Sequence, residues 1–396
     1  MPRAPRLLFV THNVPRHEGD AAGSFVLRLA VALQTHGARV HVIAPGAAGL
    51  PDCDAIEGVT IERVRYASDA RMTLAYTGTM AEAVTGSWSG RLALVQLLRA
   101  TRAHVHRTLD AARQAGDPFD VTHVHWWFPS GLALWKARRA GDPPLMITMH
   151  GSDVRLAANT PVAHPLMRSV LRGAAVRTAV SSWLADLAHD IAPDGVVHVA
   201  PMPVDVRHFA SPATGPHRDG ILFVGRLNAQ KGLADLLHAM AQPALATVPL
   251  HVVGDGPDRS ALSSLATELG VSARVQWHGT LQQHALVTRY AGARAVVMPS
   301  RGEGLGLVAV EAQLCGTPVV AYADAGLLDV VRPEHGGTLV RVGDVASLAD
   351  AIARVIEQDD MVRHLGEAAR AHMLARFTPD AVAARYLALY GEAIAS

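Results

Sequence analysis

Cysteine is nearly absent from this chain. Its 396 residues include two cysteines, Cys53 and Cys315, so a disulfide framework is excluded and a reducing compartment is favoured. No uninterrupted apolar run approaches the roughly 18 residues of a membrane span, and the apolar run near the N-terminus is too short for a signal peptide. We therefore expect a cytoplasmic protein, and contact with the inner face of the membrane stays open.

The chain also lacks an excess of charge of one sign and is poor in aromatic residues. Lys and Arg number 36 and Asp and Glu 35, so the formal net charge of +1 gives no basis for nucleic-acid binding. Aromatic residues make up only 5%, which argues against an aromatic-lined sugar groove. With 49% hydrophobic residues, the length predicts two or three domains with substantial cores.

What the chain does contain is a repeated alternation of short apolar runs and helical patterns. An apolar run at 7–10, a polar loop, a helical pattern at 24–36 and a second apolar run at 40–44 form the first unit, and a second cycle starts at residue 221. This alternation predicts an α/β fold of two Rossmann-like, doubly wound domains that face each other across a cleft. No GxGxxG motif follows the first strand, which disfavours a nicotinamide or flavin enzyme.

A Pro-rich stretch marks the predicted boundary between the domains. Residues 201–220 contain four prolines and two glycines, which is typical of a linker. We place an N-terminal domain at 1–205, a C-terminal domain at 206–376, and a final helix at 377–396 that packs back on the N-terminal domain.

The segment PSRGEGLGLVAVE, at 299–311, combines a strand end, three glycines and the start of a helical pattern. The first amides of a helix have no partner within it and lie at the positive end of its dipole, so this segment predicts an anion site. Glu303 and Glu311 stand eight residues apart around that point, and carboxylates accept hydrogen bonds from sugar hydroxyls. We expect a phosphate and a polyhydroxylated group to bind here together.

Arg226 and Lys231 follow the first strand of the second cycle. An exposed loop often contains both residue types, but beside the glycine loop they favour a diphosphate site. These side chains and the amides around Leu307 and Val308 would stabilise negative charge on a departing diphosphate. No DxD-type acidic pair follows a strand in this half, so no divalent cation is required.

Histidines cluster in the N-terminal half. His123 and His125 share one face of a predicted strand, but no carboxylate or cysteine at metal-ligand spacing accompanies them, so a metal site is disfavoured. His150 ends another strand and is followed by the polar turn Gly151-Ser152-Asp153, where Asp153 is a candidate acceptor contact. For His150 itself, structural and functional interpretations weigh about equally.

One long helical pattern is rich in arginine. Residues 91–113 carry five arginines against a single aspartate, with an apolar face. A solvated helix that packs on the sheet is the favoured interpretation. A surface for an anionic acceptor or a membrane is the alternative.

Several motifs together resemble the retaining glycosyltransferases of family 4, which have the GT-B fold. The resemblance covers nearly the whole chain, and it is most specific in the combination of Arg-x4-Lys with Glu-x7-Glu. The motifs are VGRLNAQKG (224–232), GEGLGLVAVEA (302–312), CGTPVVAYADAG (315–326) and VHVAPMPVDVRHF (197–209), together with VTHVHW and ITMHGSDV in the N-terminal half.

The resemblance implies a role for each matching residue. His150 and Glu303 match catalytic positions, and Glu303 meets the donor sugar. The remaining donor-binding positions are Arg226 and Lys231 on the diphosphate, Glu311 on the ribose, the backbone around Leu305, Gly306, Leu307 and Val308, and Gly23 at the end of the first loop. Three departures from the family pattern lie outside the principal site: DAAGSF where paired glycines are frequent, PMPVD in place of an Asn-Gly turn, and Asp329 in place of Glu. Only the first of them concerns an assigned contact, that of the loop which Gly23 ends.

The resemblance also implies an activity. We expect retaining transfer of a sugar from a nucleoside-diphosphate sugar to a hydroxyl acceptor, such as a sugar or glycolipid of a bacterial polysaccharide or glycoconjugate, with no cofactor and no metal. The N-terminal domain would bind the acceptor and the C-terminal domain the donor. A non-catalytic nucleotide-sugar binding protein and an epimerase or phosphorylase of the same architecture are the alternatives. A phosphorylase would need a lysine for pyridoxal phosphate, and the chain has only Lys136 and Lys231.

Overall fold

The structure, a computed structural model, describes residues 4–20, 22–76, 80, 84, 86–206, 208–209, 218–357 and 359–396. The chain divides into two compact units: Met1–Pro203 with Pro379–Ser396 forms unit 1, and Val204–Thr378 forms unit 2. Much of the predicted linker, at 210–217, and parts of the predicted helical region at 72–115, namely 77–79, 81–83 and 85, lie outside the described residues.

Unit 1 is built on an eight-stranded sheet. Its strands are β1 (Arg6–Val10), β2 (Arg39–Pro45), β3 (Cys53–Ile56), β4 (Val59–Val64), β5 (Val121–His125), β6 (Leu145–Met149), β7 (Val176–Ala179) and β8 (Val197–Val199). They lie in the order β3-β4-β2-β1-β5-β6-β7-β8. Every neighbouring pair is parallel except β3 with β4, so the expected parallel sheet carries one antiparallel edge strand.

Helices fill the connections between the parallel strands of unit 1. They are α1 (Ser24–Thr35), α2 (Trp88–Gln114), the single turn α3 (Leu132–Leu134), α4 (Ser152–Ala158), α5 (His164–Leu171), α6 (Ser182–Ile191) and, at the end of the chain, α14 (Pro379–Ala395). Because helices cover a parallel sheet, its strands are apolar on both sides. Leu7, Leu8, Phe9 and Val10 of β1 are accordingly all 0% exposed.

The last helix belongs to unit 1 although the whole of unit 2 precedes it in sequence. The Tyr386 hydroxyl of α14 donates a hydrogen bond to the Ala200 carbonyl over 3.0 Å. The Tyr390 hydroxyl lies 2.8 Å from Nδ1 of His123 on β5. Both tyrosines are fully buried, so α14 contributes core side chains to unit 1.

Unit 2 is built on a six-stranded parallel sheet. Its strands are β9 (Ile221–Val224), β10 (Leu250–Val253), β11 (Val275–Trp277), β12 (Ala295–Met298), β13 (Val319–Tyr322) and β14 (Thr338–Val340). They lie in the order β11-β10-β9-β12-β13-β14, so the strand order reverses between β9 and β12. In doubly wound sheets, ligands bind at the carboxyl ends of the strands at such a reversal.

The helices of unit 2 alternate with its strands. They are α7 (Leu233–Met240), α8 (Arg259–Glu268), α9 (Gln283–Gly292), α10 (Leu307–Leu314), α11 (Leu327–Val330), α12 (Val345–Ile356) and α13 (Asp359–Phe377). The two doubly wound units confirm the predicted fold class. Within the described residues, no helix combines the length and apolarity needed to cross a membrane.

Candidate active site

The loops after β9 and β12 leave the sheet side by side. Ile221 of β9 pairs with Ala295 of β12 in parallel register, so the carboxyl ends of both strands meet at the same edge. The loops are joined by hydrogen bonds: the Arg301 amide donates to the Gln230 carbonyl over 2.9 Å, and Gln230 Nε2 donates to the Gly302 carbonyl over 3.3 Å. The fold thus brings the two motifs predicted to bind a diphosphate together at the reversal of strand order.

Lys231 and Glu303 form an ion pair between these loops, with 2.5 Å between Nζ and Oε1. The Lys231 side chain is 22% exposed and that of Glu303 11%, so the pair is largely shielded from water. The Asn228 side chain accepts a hydrogen bond from the Lys231 amide over 3.3 Å and fixes the turn that carries the lysine. The sequence predicts separate tasks for Lys231 and Glu303, whereas the structure joins their charged ends directly.

Arg226 lies in the same loop as Lys231 and is exposed. Its side chain makes no hydrogen bond or ion pair with any residue that the structure describes. A planar guanidinium in that state presents all its donors to a ligand, and it matches phosphate oxygens in a bidentate fashion.

The glycine loop is held by β13 and the turn that follows it. Asp324 Oδ2 accepts a hydrogen bond from the Gly302 amide over 2.5 Å, and the Glu303 carbonyl accepts one from the Gly326 amide over 3.0 Å. A Cβ on Gly326 would lie 2.3 Å from the Gly304 carbonyl oxygen, so only glycine allows this approach. The sequence motifs do not single out Asp324, although its place two residues after β13 puts it at the carboxyl edge of the sheet.

Helix α10 starts at the end of the glycine loop without a side-chain cap. Gly306 occupies the N-cap in the left-handed conformation, with φ 88°, and a Cβ there would also meet Leu327 Cδ2 at 2.7 Å. Leu305 is buried, whereas Leu307 and Val308 are partly exposed. The amides of Leu307 and Val308 have no acceptor within the helix, so this end of α10 can bind an anion.

Glu311 projects from the second turn of α10 and is held by a neighbouring helix. The hydroxyl of Tyr290, on α9, donates a hydrogen bond to Glu311 Oε2 over 2.9 Å. Tyr290 is 0% exposed, and burial, reinforced by the Glu311 carboxylate, raises its pKa well above the usual value. The phenol therefore stays protonated and remains a donor to Glu311, a contact that the sequence does not indicate.

In unit 1, Gly23 closes the first loop and caps helix α1. It has the left-handed conformation, with φ 65° and ψ 16°. A Cβ at this position would lie 2.4 Å from the Asn13 carbonyl oxygen. The loop from β1 to α1 thus requires glycine at position 23, which is the single glycine of the sequence DAAGSF.

His150 follows β6 and contacts other rings. Its Nε2 lies 3.0 Å from Nδ1 of His125, and its ring centroid lies 4.3 Å from that of Trp126 and 5.0 Å from that of Phe25. Burial, with a smaller effect of neighbouring histidines, lowers the pKa of His150 well below its usual value. The imidazole is therefore neutral at neutral pH and can donate or accept a hydrogen bond.

Asp153 holds the backbone around His150. Oδ1 accepts from the amides of His150 and Gly151 over 3.2 and 3.1 Å, and Oδ2 accepts from the Trp127 amide over 3.0 Å. Asp153 is only 2% exposed, and burial raises its pKa to about 6. These contacts give Asp153 a positioning task, and direct contact with an acceptor stays a prediction.

The two same-face histidines of β5 are both buried and have different partners. His123 lies 2.8 Å from the Tyr390 hydroxyl through Nδ1 and 2.7 Å from Thr148 Oγ1 through Nε2, while His125 faces His150. The described part of the chain contains no group of three or more His, Cys, Asp or Glu residues that could hold a metal ion. His123 and His125 therefore belong to a hydrogen-bonded core, and the absence of a metal requirement stays a prediction.

Two doubly wound units in one chain are the architecture of the GT-B class of glycosyltransferases. The sequence profile of Glycosyltransferase Family 4 matches residues 22–208, and that of Glycosyl transferases group 1 matches residues 208–372. A D-inositol 3-phosphate glycosyltransferase from Xylanimonas cellulosilytica is 32% identical over 99% of this chain and 97% of that protein. One from Mycobacterium leprae is 33% identical over 95% of this chain and 90% of its own length. The chain belongs to glycosyltransferase family 4.

Solved structures with the same fold align with nearly the whole chain. A sucrose-phosphate synthase from Thermosynechococcus elongatus has a TM-score of 0.79 at 24% identity and covers 99% of both chains. HepE from Anabaena, in complex with UDP and glucose, has a TM-score of 0.68 at 17% identity and covers 97% of this chain and 99% of its own. At these identities, the likeness concerns the fold.

Proposed function

We propose that this glycosyltransferase moves a sugar, with retention of anomeric configuration and without a metal, from a nucleoside-diphosphate sugar to a hydroxyl acceptor. The observation that carries the proposal is the meeting of the Arg226–Lys231 loop and the Gly302–Glu311 segment on neighbouring strands β9 and β12, where the strand order reverses. Unit 2 accordingly binds the donor, and unit 1 binds the acceptor.

The donor diphosphate is held by Arg226, Lys231 and the first amides of α10. An ammonium group has three donors, so the bond to Glu303 leaves Lys231 two for phosphate oxygens. Arg226 adds bidentate donors, and the amides of Leu307 and Val308 add the positive end of the helix dipole. This concentration of fixed positive charge supports transfer without a divalent cation.

The nucleoside and the sugar are assigned to different carboxylates. Glu311, aligned by Tyr290, accepts hydrogen bonds from the ribose hydroxyls. Glu303, aligned by Lys231, accepts them from hydroxyls of the donor sugar. Because HepE was solved with UDP and glucose, a uridine donor is the first to test.

The proposed reaction follows from these positions. The acceptor oxygen forms its bond to the anomeric carbon on the face from which the diphosphate departs, and the acceptor proton passes to a phosphate oxygen of the leaving group. Arg226, Lys231 and the α10 amides stabilise the charge on the departing diphosphate. Glu303 is engaged with Lys231, which lowers its nucleophilicity and supports this front-face route over a glycosyl-enzyme intermediate.

Residues of unit 1 complete the assignment by their match to the family motifs. His150, neutral because of burial, acts as a hydrogen-bonding group at the reacting centre, and Asp153 holds the backbone around it. Gly23 lets the first loop approach the donor phosphate.

The acceptor is proposed from the relatives. Two proteins that match nearly the whole chain are named for D-inositol 3-phosphate, so a phosphorylated polyol is the first acceptor to test. A sugar or glycolipid hydroxyl in bacterial polysaccharide or glycoconjugate synthesis is the wider acceptor class.

The deciding experiment has two stages. Thermal shift with UDP, GDP and UDP-glucose in the presence of EDTA tests donor binding without metal, and stabilisation by at least one is expected. Transfer to D-inositol 3-phosphate and to simple sugars is then followed by mass spectrometry, with Glu303→Ala as the inactive control. No stabilisation by any nucleotide would refute the donor site, and stabilisation without transfer to any acceptor would favour a non-catalytic nucleotide-sugar binding protein.

A further inference from the structure

Helix α2 of unit 1 has an outward stripe that changes character along its length. Its buried stripe contains Ala93, Leu97, Val105 and Leu109, which pack toward the sheet. Residues spaced alternately four and three apart lie on the opposite face. That outward stripe consists of Trp88, Leu92, Val95, Arg99, Arg102 and His106.

The first half of the stripe is apolar and open to solvent. Trp88 is 82% exposed, Leu92 55% and Val95 43%. Of the six tryptophans, all of which the structure describes, Trp88 alone is exposed. Single exposed apolar residues are ordinary, but these three lie in a row along about two turns of one face, and apolar patches of this kind are typical of interaction surfaces.

The second half of the stripe lines a basic groove of about 410 Å³. Arg99 makes no side-chain hydrogen bond or ion pair with a described residue, and Arg102 donates to the carbonyls of Ala133 and Trp135 over 2.8 and 3.1 Å. Neutral carbonyl partners leave the charge of Arg102 uncompensated. The groove also contains His106, Arg107, Asp110 and Arg139.

The charge of this surface contrasts with that of the whole protein. Helix α2 carries five arginines and one aspartate, and the adjoining residues 136–142 carry three cationic side chains and one aspartate, whereas the net charge of the chain is only +1. Asp110 and Asp142 each pair with an arginine, Arg139 and Arg113 respectively. The cations that remain define a surface that attracts anions.

We propose that the outward face of α2 docks this enzyme on an anionic bilayer. Tryptophan favours the interface between water and lipid, and Leu92 and Val95 bury apolar surface beside it. Arg91, whose guanidinium lies 5.1 Å from the Trp88 ring centroid, and Arg99 then meet acidic headgroups next to the inserted ring. The exposed apolar side chains and the arginines without an ion-pair partner thus lie on one stripe, which is the pattern of a helix that lies on an anionic membrane surface.

Full-length protein and vesicles test this proposal without any donor or acceptor. Sedimentation with phosphatidylcholine vesicles that contain about 30 mol% phosphatidylglycerol should capture the protein, whereas phosphatidylcholine alone should capture much less. Binding should weaken as salt is raised, because headgroup attraction is screened. Binding should also shift the tryptophan emission to the blue, and Trp88→Phe should abolish that shift while it retains most of the sedimentation.

Two double variants separate the apolar and the basic contributions. Trp88→Ser with Leu92→Ser, and Arg99→Gln with Arg102→Gln, should each lower the vesicle partition coefficient about tenfold or more. The matched controls are Val162→Ser with Val196→Ser, which are exposed apolar residues elsewhere in unit 1, and Arg354→Gln with Arg385→Gln, which are exposed arginines on α12 and α14. The controls should bind as the wild type does, and circular dichroism should show that every variant is folded.

The outcomes discriminate between the sources of the anion. The proposal is overturned if the wild type fails to bind anionic vesicles at low salt. It is also overturned if both α2 double variants bind these vesicles as strongly as the wild type does. Thermal stabilisation by inorganic phosphate without vesicle binding would identify a site for a soluble phosphate and likewise overturns membrane docking. None of these measurements depends on sugar transfer, so membrane docking and the proposed reaction can fail independently.

Discussion

Lys231 Nζ lies 2.5 Å from Glu303 Oε1, and this pair joins the loop after β9 to the loop after β12. Each side chain fixes the other in a place that is mostly shielded from water. The pair therefore forms one unit, in which we propose that Lys231 donates hydrogen bonds to phosphate oxygens and Glu303 accepts them from sugar hydroxyls. Changes at the two positions should not behave independently.

Removal of either partner should impair donor use. We expect Lys231→Ala and Glu303→Gln each to lower kcat/KM about 100-fold, and the double variant to lose much less than the product of the two effects. Lys231→Ala should also lower the free energy of unfolding by about 1–2 kcal/mol, because Glu303 is left buried without its counter-charge. Steady-state transfer and chemical denaturation measure both effects.

An exposed ion pair provides the control for this cycle. Arg172 and Asp194 of unit 1 are 2.7 Å apart with both side chains about half exposed. Arg172→Ala should leave kcat/KM unchanged and stability within about 0.5 kcal/mol of the wild type. If the loss of kcat/KM in the Lys231 and Glu303 double variant equalled the product of the two single losses, the coupling that the contact predicts would be wrong.

Tyr290→Phe should weaken nucleotide binding through Glu311. Loss of one hydrogen bond to a carboxylate leaves Glu311 less well aligned for the ribose, so KM for the donor should rise about 5–20-fold while kcat changes little. Steady-state kinetics and calorimetric titration with UDP measure this change.

A second buried tyrosine separates binding from stability. Tyr386→Phe removes a comparable hydrogen bond, to the Ala200 carbonyl in unit 1. It should lower the free energy of unfolding about as much as Tyr290→Phe does, but it should leave the KM for the donor unchanged. If both variants changed the donor KM equally, the effect at Tyr290 would be a consequence of general destabilisation.

Gly326→Ala tests the support of the glycine loop. Gly326 has an ordinary φ of −68°, so alanine strains no dihedral angle, but its Cβ would lie 2.3 Å from the Gly304 carbonyl oxygen. The loop must move, and we expect about 1–3 kcal/mol of destabilisation and at least a tenfold loss of kcat/KM. Gly391→Ala on α14 is the control, because nothing lies within 4 Å of its Cβ and helix propensity should raise stability slightly.

The sequence predicts those parts of the fold that repeat a strong local pattern. The apolar runs at β1, β9 and β12 and the glycine loop before α10 all stand where they are expected. Helix α13 is absent from the predictions because the residues that it buries, such as Gly366, Ala369 and Met373, are separated by charged residues. Strand β3 is equally inconspicuous, since it lies at an edge and is mostly exposed.

The candidate site shows the same division. Motif spacing predicts Arg226, Lys231, Glu303 and Glu311, because each lies in a loop after a strand or in the first two turns of the helix that follows. It does not predict that Lys231 meets Glu303 or that Tyr290 supports Glu311, since these contacts depend on strand order and helix packing. Pairings between side chains distant in sequence require the three-dimensional arrangement.

The buried histidines of unit 1 should make stability depend on pH. His123 and His125 are 0% exposed, and burial lowers the pKa of His125 to about 3 and that of His123 well below its usual value. In the unfolded chain both titrate near pH 6.5, so below that pH the unfolded state binds more protons and stability falls. Burial also lowers the pKa of His12 to about 4, in the same direction.

Asp153 opposes this trend over a narrower range. Burial raises the pKa of Asp153 to about 6, above the usual 3.8. Between these two pH values the folded state therefore binds more protons at Asp153 than the unfolded state does, and this group adds stability as pH falls. Since each histidine contributes up to about 1.4 kcal/mol per pH unit, the histidines outweigh the single aspartate. The free energy of unfolding should therefore fall steadily from pH 6.5 toward pH 4.

Urea denaturation at pH 7.5, 6.0 and 5.0 measures this slope. His125→Asn should reduce the slope between pH 6.0 and 5.0 by about 1 kcal/mol per pH unit, because one proton is no longer gained on unfolding. His189→Asn, at an exposed position on α6, should leave the slope unchanged. A wild-type stability that is constant or rises from pH 6.0 to 5.0 would mean that the buried imidazoles accept protons in the folded state, which would contradict their predicted neutrality.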